Sequence, residues 1–231
     1  MNSLSSSLPF CAALTGGIAC GKSVAAARLA SFGVPVLDAD EVSHALTGPG
    51  GEAVGEIASA FGRKFLLPDG AMDRREMAAL VFADPAARSR LEAILHPRIR
   101  SAFAVWRRTL SRPGLAVVPL LHECGWAGDF DRVACVVASR ETVLTRLRAR
   151  GLSSAEAEAR LASQMPTGEK ARLSGRTLSN DGSLAEFLSA VGADARMREY
   201  EDAFLWLREA MVANLCNRVG PGRPGHPQHR N

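Results

Sequence analysis

Apolar and polar positions along the chain fall into alternating regimes. Phe10 to Thr15, "FCAALT", is a short continuous apolar run that stops at Gly16 and Gly17. From Lys22 to Phe32 the positions Val24, Arg28, Leu29 and Phe32 recur at helical spacing, so the segment predicts strand, glycine loop, helix. "VPVLD", Val34 to Asp38, follows directly after Gly33 as a second strand. So short a crossover predicts that the first two strands are parallel neighbours in a buried sheet.

Between Asp40 and about Arg112 the apolar positions recur at three and four, which predicts a helical insertion. "TGPGG", "LLPDG", "ADP" and "HP" interrupt it as helix stops or starts. Strand character returns in Leu115 to Leu121, "LAVVPLL", and in Arg132 to Ala138, "RVACVVA". Both are continuous and Val-rich, as expected of strands covered on both faces. A charged helical stretch follows Ser139, interrupted at Gly151, with Ser153 and Glu156 placed as a capping box. A last short strand is expected near Arg176 to Asn180, and a final helix from about Ala193 to Cys216, with Met197, Tyr200, Phe204, Leu207 and Met211 on its apolar stripe. Strands interleaved with helices predict a three-layer α/β fold with a parallel sheet.

Composition narrows the class. The chain has 231 residues, 47% of them apolar, enough for the core of one domain, and it carries no repeat. Cys11, Cys20, Cys124, Cys135 and Cys216 form an odd set without a C-x-x-C pair, which fits neither a disulfide framework nor a zinc site and predicts a reducing cytoplasm. No apolar run is long enough to span a bilayer, and residues 1–9 lack the pattern of a secretory signal, so a loose leader and no membrane partner are expected. The net charge of +4 is modest. Part of it lies in the Pro- and Gly-rich tail 217–231, where Arg218, Arg223 and Arg230 have no aromatic beside them to stack on a base. A disordered basic tail with no nucleic-acid role is the expectation.

The chemistry concentrates at Gly16 to Ser23, "GGIACGKS", which satisfies G-x-x-x-x-G-K-[ST] at a strand-to-helix junction. Glycines at this spacing let successive N–H groups point inward, and the following helix adds its positive end. Lys22 would then reach the β and γ phosphates, and the Ser23 hydroxyl would ligate Mg²⁺. Gly16, Gly17, Ile18, Ala19, Cys20, Gly21, Lys22, Ser23 and Val24 are therefore the expected nucleotide-binding residues. Neither N-K-x-D nor D-x-x-G occurs, so no guanine reader is visible.

Asp38 and Asp40 end the second strand, on the sheet edge where the phosphate loop lies. One carboxylate can take the proton of an attacking hydroxyl and another hold a Mg²⁺-bound water; the plainer alternative is that either caps the next helix. Arg146, Arg148 and Arg150 suit a transferring phosphoryl group, or simply stand in solvent, with Arg146 and Arg150 on one face and Arg148 on another. His96, before Pro97, is a candidate for a helix boundary, a substrate contact or a proton shuttle. In "LHEC", adjacent side chains on a strand would point to opposite faces, so a metal cluster is not expected, and Glu123 at the strand end is retained. Cys20, beside Lys22 and a helix N-terminus, is either a reactive thiol or a small residue in place of Ser.

The chain resembles the dephospho-coenzyme A kinases. The matching segments are "LTGGIACGKS", "LDAD" at 37–40, "LHPRI" at 95–99, "VVPLLHE" at 117–123, "LTRLRARGLSSAEAEARLASQ" at 144–164 and "SND-G" at 179–182. The resemblance implies transfer of the γ-phosphoryl of ATP to the ribose 3'-hydroxyl of dephospho-coenzyme A. It further implies a P-loop nucleoside-kinase-like core (10–40, 113–143 and 174–216), a helical substrate-binding insertion (41–112) and a helical lid (144–173). Another small-molecule P-loop kinase is the competing expectation.

The roles it lends are Asp40 as base, Lys22 and Ser23 on phosphate and Mg²⁺, Arg148 or Arg150 as lid contacts, and Asn180 beside the adenine. Asp38, His96 and Glu123 complete the expected acceptor site, in a monomer or weak homo-oligomer. The chain departs from the family pattern at Ala19, where the loop favours unusual dihedrals. It also departs at "SGRTLSND", which loosens the register around Asn180.

Overall fold

The computed structural model describes residues 8–194. The expected final helix beyond Asp194, the tail 217–231 and the leader before Leu8 lie outside the described residues. In chain order the elements are β1 (Cys11–Gly16), α1 (Lys22–Ala30), β2 (Val36–Asp38), α2 (Ala39–Thr47), α3 (Val54–Phe61), α4 (Arg74–Ala83) and α5 (Pro85–Thr109). They continue with β3 (Gly114–Val117), β4 (Arg132–Val137), α6 (Arg140–Ala149), α7 (Ser154–Ala162), α8 (Thr167–Leu173), β5 (Arg176–Ser179) and α9 (Leu184–Asp194).

The strands form one parallel sheet in the order β2-β3-β1-β4-β5. β1 and β2 are parallel but are not the neighbours that the short crossover led us to expect, because β3 enters between them from the far side of the insertion. The chain runs to one side of β1 through β2 and β3 and then crosses to the other through β4 and β5. That reversal opens a crevice at the carboxyl end of β1, where ligands of parallel sheets sit.

Alternation along β1 builds two cores. Ala12 and Leu14 pack with Ala25 and Leu29 of α1, Val143 and Leu147 of α6, and Phe187 and Val191 of α9. Cys11 and Ala13 face the other layer, with Val42, Ile57, Met77, Ile94 and Ile99 from α2 to α5. Both faces are buried, which is why the strands are continuously apolar. α1 points Ala25, Ala26 and Leu29 inward and leaves Val24 exposed, so the apolar stripe read from Val24 lies one position off.

Side chains start most of the helices. Asp38, Asp73, Asp84, Ser139 and Ser153 each accept an N–H in the first turn of α2, α4, α5, α6 and α7, and Ser153 with Glu156 forms the expected capping box. "HP" is not a break, since α5 runs through Pro97. Pro97 has no N–H to give the preceding turn, and the Arg98 guanidinium donates to the Ile94 carbonyl there at 2.7 Å. β3 ends at Val117, four residues before the predicted Leu121, and "LHEC" lies in a turn instead of a strand. α9 begins well before the predicted Ala193. No helix among the described residues is long and apolar enough to cross a membrane.

Leu147 is buried against the sheet, although the expected lid begins at Leu144. Leu147→Ala is predicted to lower the urea-unfolding free energy by about 2–5 kcal/mol, as for a core leucine. A loss below about 1 kcal/mol would place α6 outside the core.

Candidate functional site

The loop Gly16–Gly21 leaves β1 at the crevice, and its backbone takes conformations that few side chains tolerate. Gly16 has φ +147°, Ala19 +56° and Gly21 +105°. A Cβ on Gly16 would fall 2.3 Å from the Val136 carbonyl oxygen, and one on Gly21 2.1 Å from the Asn180 amide nitrogen. Ala19 is the one non-glycine with positive φ among the described residues, at the position where the sequence departs from the family pattern.

α1 then starts at Lys22 without a capping side chain, unlike the helices named above, and has no acidic residue in its first turn. Its first amides and its positive end remain turned to the crevice, the arrangement that binds phosphate. Lys22 curls over the loop and donates to the Gly16 and Gly17 carbonyls at 3.1 and 2.9 Å. Burial pulls its ammonium below the usual range, Lys170 adds to the fall, and the carboxylate of Asp40 opposes it. Ser23 sits exposed in the first turn of α1.

Asn180 and Arg146 brace the loop from behind. The Asn180 amide donates to the Cys20 carbonyl at 2.7 Å, and Arg146 donates to the Ala19 and Asn180 carbonyls at 3.2 and 2.8 Å. Arg148 and Arg150 are exposed at the end of α6, and the structure does not bring them to the loop. Cys20 is fully buried with the α1 core, so the thiol that was a candidate for reactivity is closed off from solvent.

Asp38 caps α2, accepting the Asp40 N–H at 2.8 Å, which was the plainer of its two readings. Burial chiefly, and then the negative charges of Asp40 and Glu41, raise its carboxyl above the usual range. Asp40 in the first turn of α2 is exposed and lines a cavity of about 620 Å³. Ile18 of the loop, Ser43, Arg88, His96 and Arg160 stand on the same wall system, whose apolar parts include Leu91, Leu95 and Trp126. His96 meets Trp126 edge-to-face with ring centres 5.3 Å apart, and Cys124 Sγ lies 3.8 Å from its Nε2. A second cavity of about 350 Å³ adjoins the loop at Gly17 and Ile18, against Val143, Met165 and Thr167.

Asp38 and Glu123 do not line the larger cavity. Glu123 instead pairs with Lys170 at 2.7 Å and accepts the Met165 N–H at 3.1 Å. Arg74 and Lys170 escaped sequence reasoning as functional positions. Arg74 reaches Thr47 Oγ1 at 2.5 Å near Asp40, and its guanidinium is lowered by burial. Lys170 is fully buried below the loop. Arg146 was in view as one of three arginines, and its i, i+4 relation to Arg150 was the only signal that set it apart from Arg148.

Gly21→Ala is predicted to cost about 1–2 kcal/mol from the left-handed backbone alone. It also displaces the Asn180 brace, so ATP affinity measured by calorimetry falls as well; unchanged affinity would mean that the loop backbone does not hold the nucleotide.

The sequence model of the family described as dephospho-CoA kinase matches residues 10–186. A dephospho-CoA kinase of Anaeromyxobacter dehalogenans is 47% identical over 174 residues, 73% of this chain and 82% of that protein. Among solved structures, TT1252 from Thermus thermophilus superposes with a TM-score of 0.70 at 36% identity, covering 82% of this chain and 98% of that one. The dephospho-CoA kinase from Campylobacter jejuni shares the fold, with a TM-score of 0.58 at 24% identity over 82% of this chain and 97% of that one. The glycine loop at the end of β1, the carboxylate on the cavity wall and these likenesses agree: the chain belongs to the dephospho-CoA kinase family.

Proposed function

We propose that the chain transfers the γ-phosphoryl group of ATP to the ribose 3'-hydroxyl of dephospho-coenzyme A, giving coenzyme A and ADP. One observation carries this reading beyond the family name. Asp40 stands on the wall of a large cavity that also touches Ile18 of the phosphate loop, so an alcohol in that cavity meets a terminal phosphate held by the loop.

The nucleotide's phosphates lie along the amides of Gly16 to Ser23, at the uncapped end of α1. Lys22 swings from its carbonyl contacts to the transferring oxygens and neutralises charge as it spreads over them. Asp40 accepts the hydroxyl proton as attack proceeds. His96 and Trp126 present an aromatic edge to the acceptor, and Arg88 and Arg160 supply charge for its phosphates. Asn180 and Arg146 hold the loop's shape, and exposed Arg148 and Arg150 are free to approach with the lid.

Mg²⁺ fits the oxygen donors present: the Ser23 hydroxyl in the first turn of α1, and the carboxylates of Asp38 and Asp40 through water. The metal supplies charge neutralisation at the phosphates. Free thiols at Cys11, Cys20, Cys124 and Cys135 fit a reducing compartment such as the cytoplasm.

A coupled ADP-release assay with dephospho-coenzyme A, nucleoside monophosphates and other alcohols tests the assignment. Turnover is expected with dephospho-coenzyme A; stimulation by a different acceptor alone would replace it with another small-molecule kinase. Asp40→Asn is predicted to lower kcat about 10²–10⁴-fold while the KM for ATP hardly moves. An unchanged kcat would remove Asp40 as base. Lys22→Ala is predicted to lower kcat by about 10²-fold or more, read in the same assay.

A further inference from the structure

Beneath the phosphate loop lies a charged contact that the proposed reaction does not use. Lys170 of α8 has no exposed surface, and its Nζ donates to the Pro119 carbonyl at 2.8 Å and pairs with Glu123 at 2.7 Å. The same Glu123 oxygen accepts the Met165 N–H, and Pro119 also accepts from Thr15 Oγ1 in β1 at 3.2 Å. Alongside, His122 Nε2 lies 3.0 Å from Ser174 Oγ, which donates to the Lys170 carbonyl at 2.7 Å. The turn after β3 is thus tied at several points to the stretch that runs from Met165 through α8 to Ser174.

A buried ion pair is a weak source of stability, because removing two charges from water offsets much of their attraction. Position is what this pair sets. On one side it fixes Pro119, beside Leu120 and Cys124 on the larger cavity's wall. On the other it fixes Met165, within a strap that spans both cavities: Ser163 and Gln164 line the larger, and Gln164, Met165, Pro166 and Thr167 line the smaller. Thr167 presses against the loop so closely that a Cβ on Gly17 would fall 2.2 Å from its hydroxyl.

We propose that Lys170 and Glu123 are positioning residues, a clasp that holds the 163–167 strap against the phosphate loop and the acceptor cavity together, so that phosphoryl donor and acceptor are set in register. Neither side chain need touch either substrate. The strap's position depends on the tether through Glu123 to Met165, and the ammonium of Lys170 holds that carboxylate in place. The inference deepens the phosphoryl-transfer reading and rests on it for its kinetic consequence.

The test uses the full chain, Glu123→Gln, and the double variant Lys170→Met/Glu123→Gln, which removes both charges. Glu123→Gln leaves the buried ammonium without its carboxylate and is expected to lower the melting temperature, whereas the double variant regains it. In both, kcat with ATP and dephospho-coenzyme A is expected to fall about tenfold or more, as small misplacements at reacting centres do. The KM for dephospho-coenzyme A is expected to rise in parallel. Amide hydrogen exchange across residues 163–168 is expected to quicken in both variants. If kcat in the double variant returns to within about twofold of the unsubstituted chain along with its melting temperature, the pair is structural only and the clasp is overturned. Unchanged exchange across 163–168 overturns it equally. Should the double variant not fold, kcat and exchange in Glu123→Gln decide by the same thresholds. Failure of the unsubstituted chain to turn over dephospho-coenzyme A would count against the proposed function, and the exchange measurement would still judge the clasp.

Discussion

A backbone turned inside out at the end of one strand is the constraint from which the site follows. Left-handed dihedrals at Ala19 and Gly21, with the open φ of Gly16, aim amides into a crevice and bring α1 in end-on. A chain in this shape has few hydrogen bonds of its own to give the loop, so the protein supplies them from behind. Asn180 holds the Cys20 carbonyl, Arg146 holds that of Ala19, and Lys22 covers those of Gly16 and Gly17. The carbonyls are thereby occupied by protein, while the amides and the uncapped end of α1 stay turned to the crevice.

The sheet order gives that loop its two neighbours. Because β3 and β4 flank β1, the carboxyl ends of three strands converge on one edge. The turn after β3 walls the larger cavity, and β5 leads straight into Asn180 behind the loop. α2 begins at the same edge because Asp38 caps it, and capping sends the next carboxylate, Asp40, out into the cavity. Asp38 and Asp40 thus divide two tasks, one shaping the helix start and the other facing the larger cavity, with burial holding the first less acidic than usual.

Much of this was legible in the chain. "GGIACGKS" carries its mechanism in its spacing, and the alternation of short Val-rich runs with helical stretches gives a three-layer parallel sheet. What escaped was set by tertiary context. Strand order cannot be read from crossover length, since β3 entered between β1 and β2 after some seventy-five intervening residues. Pro97 looked like a stop because local geometry disfavours it, yet buried Ile94, Leu95, Ile99 and Phe103 on both sides of it keep α5 continuous. Glu123 was picked out for its place near a strand end, but its partner, Lys170, lies far along the chain in a segment whose charges resemble an ordinary solvated face. Arg146 and Arg148 differ in role by a rotation about the helix axis that only the packing of Leu147 fixes.

The most direct test of the central claim is an amide NMR titration of the full chain with Mg²⁺ and ATP. The largest shifts are predicted at Gly17 to Ser23, with Cys20 and Asn180 following through their shared hydrogen bond. Resonances at 16–24 that stay in place while another region responds would contradict the account, because the nucleotide would then be held by something other than this loop.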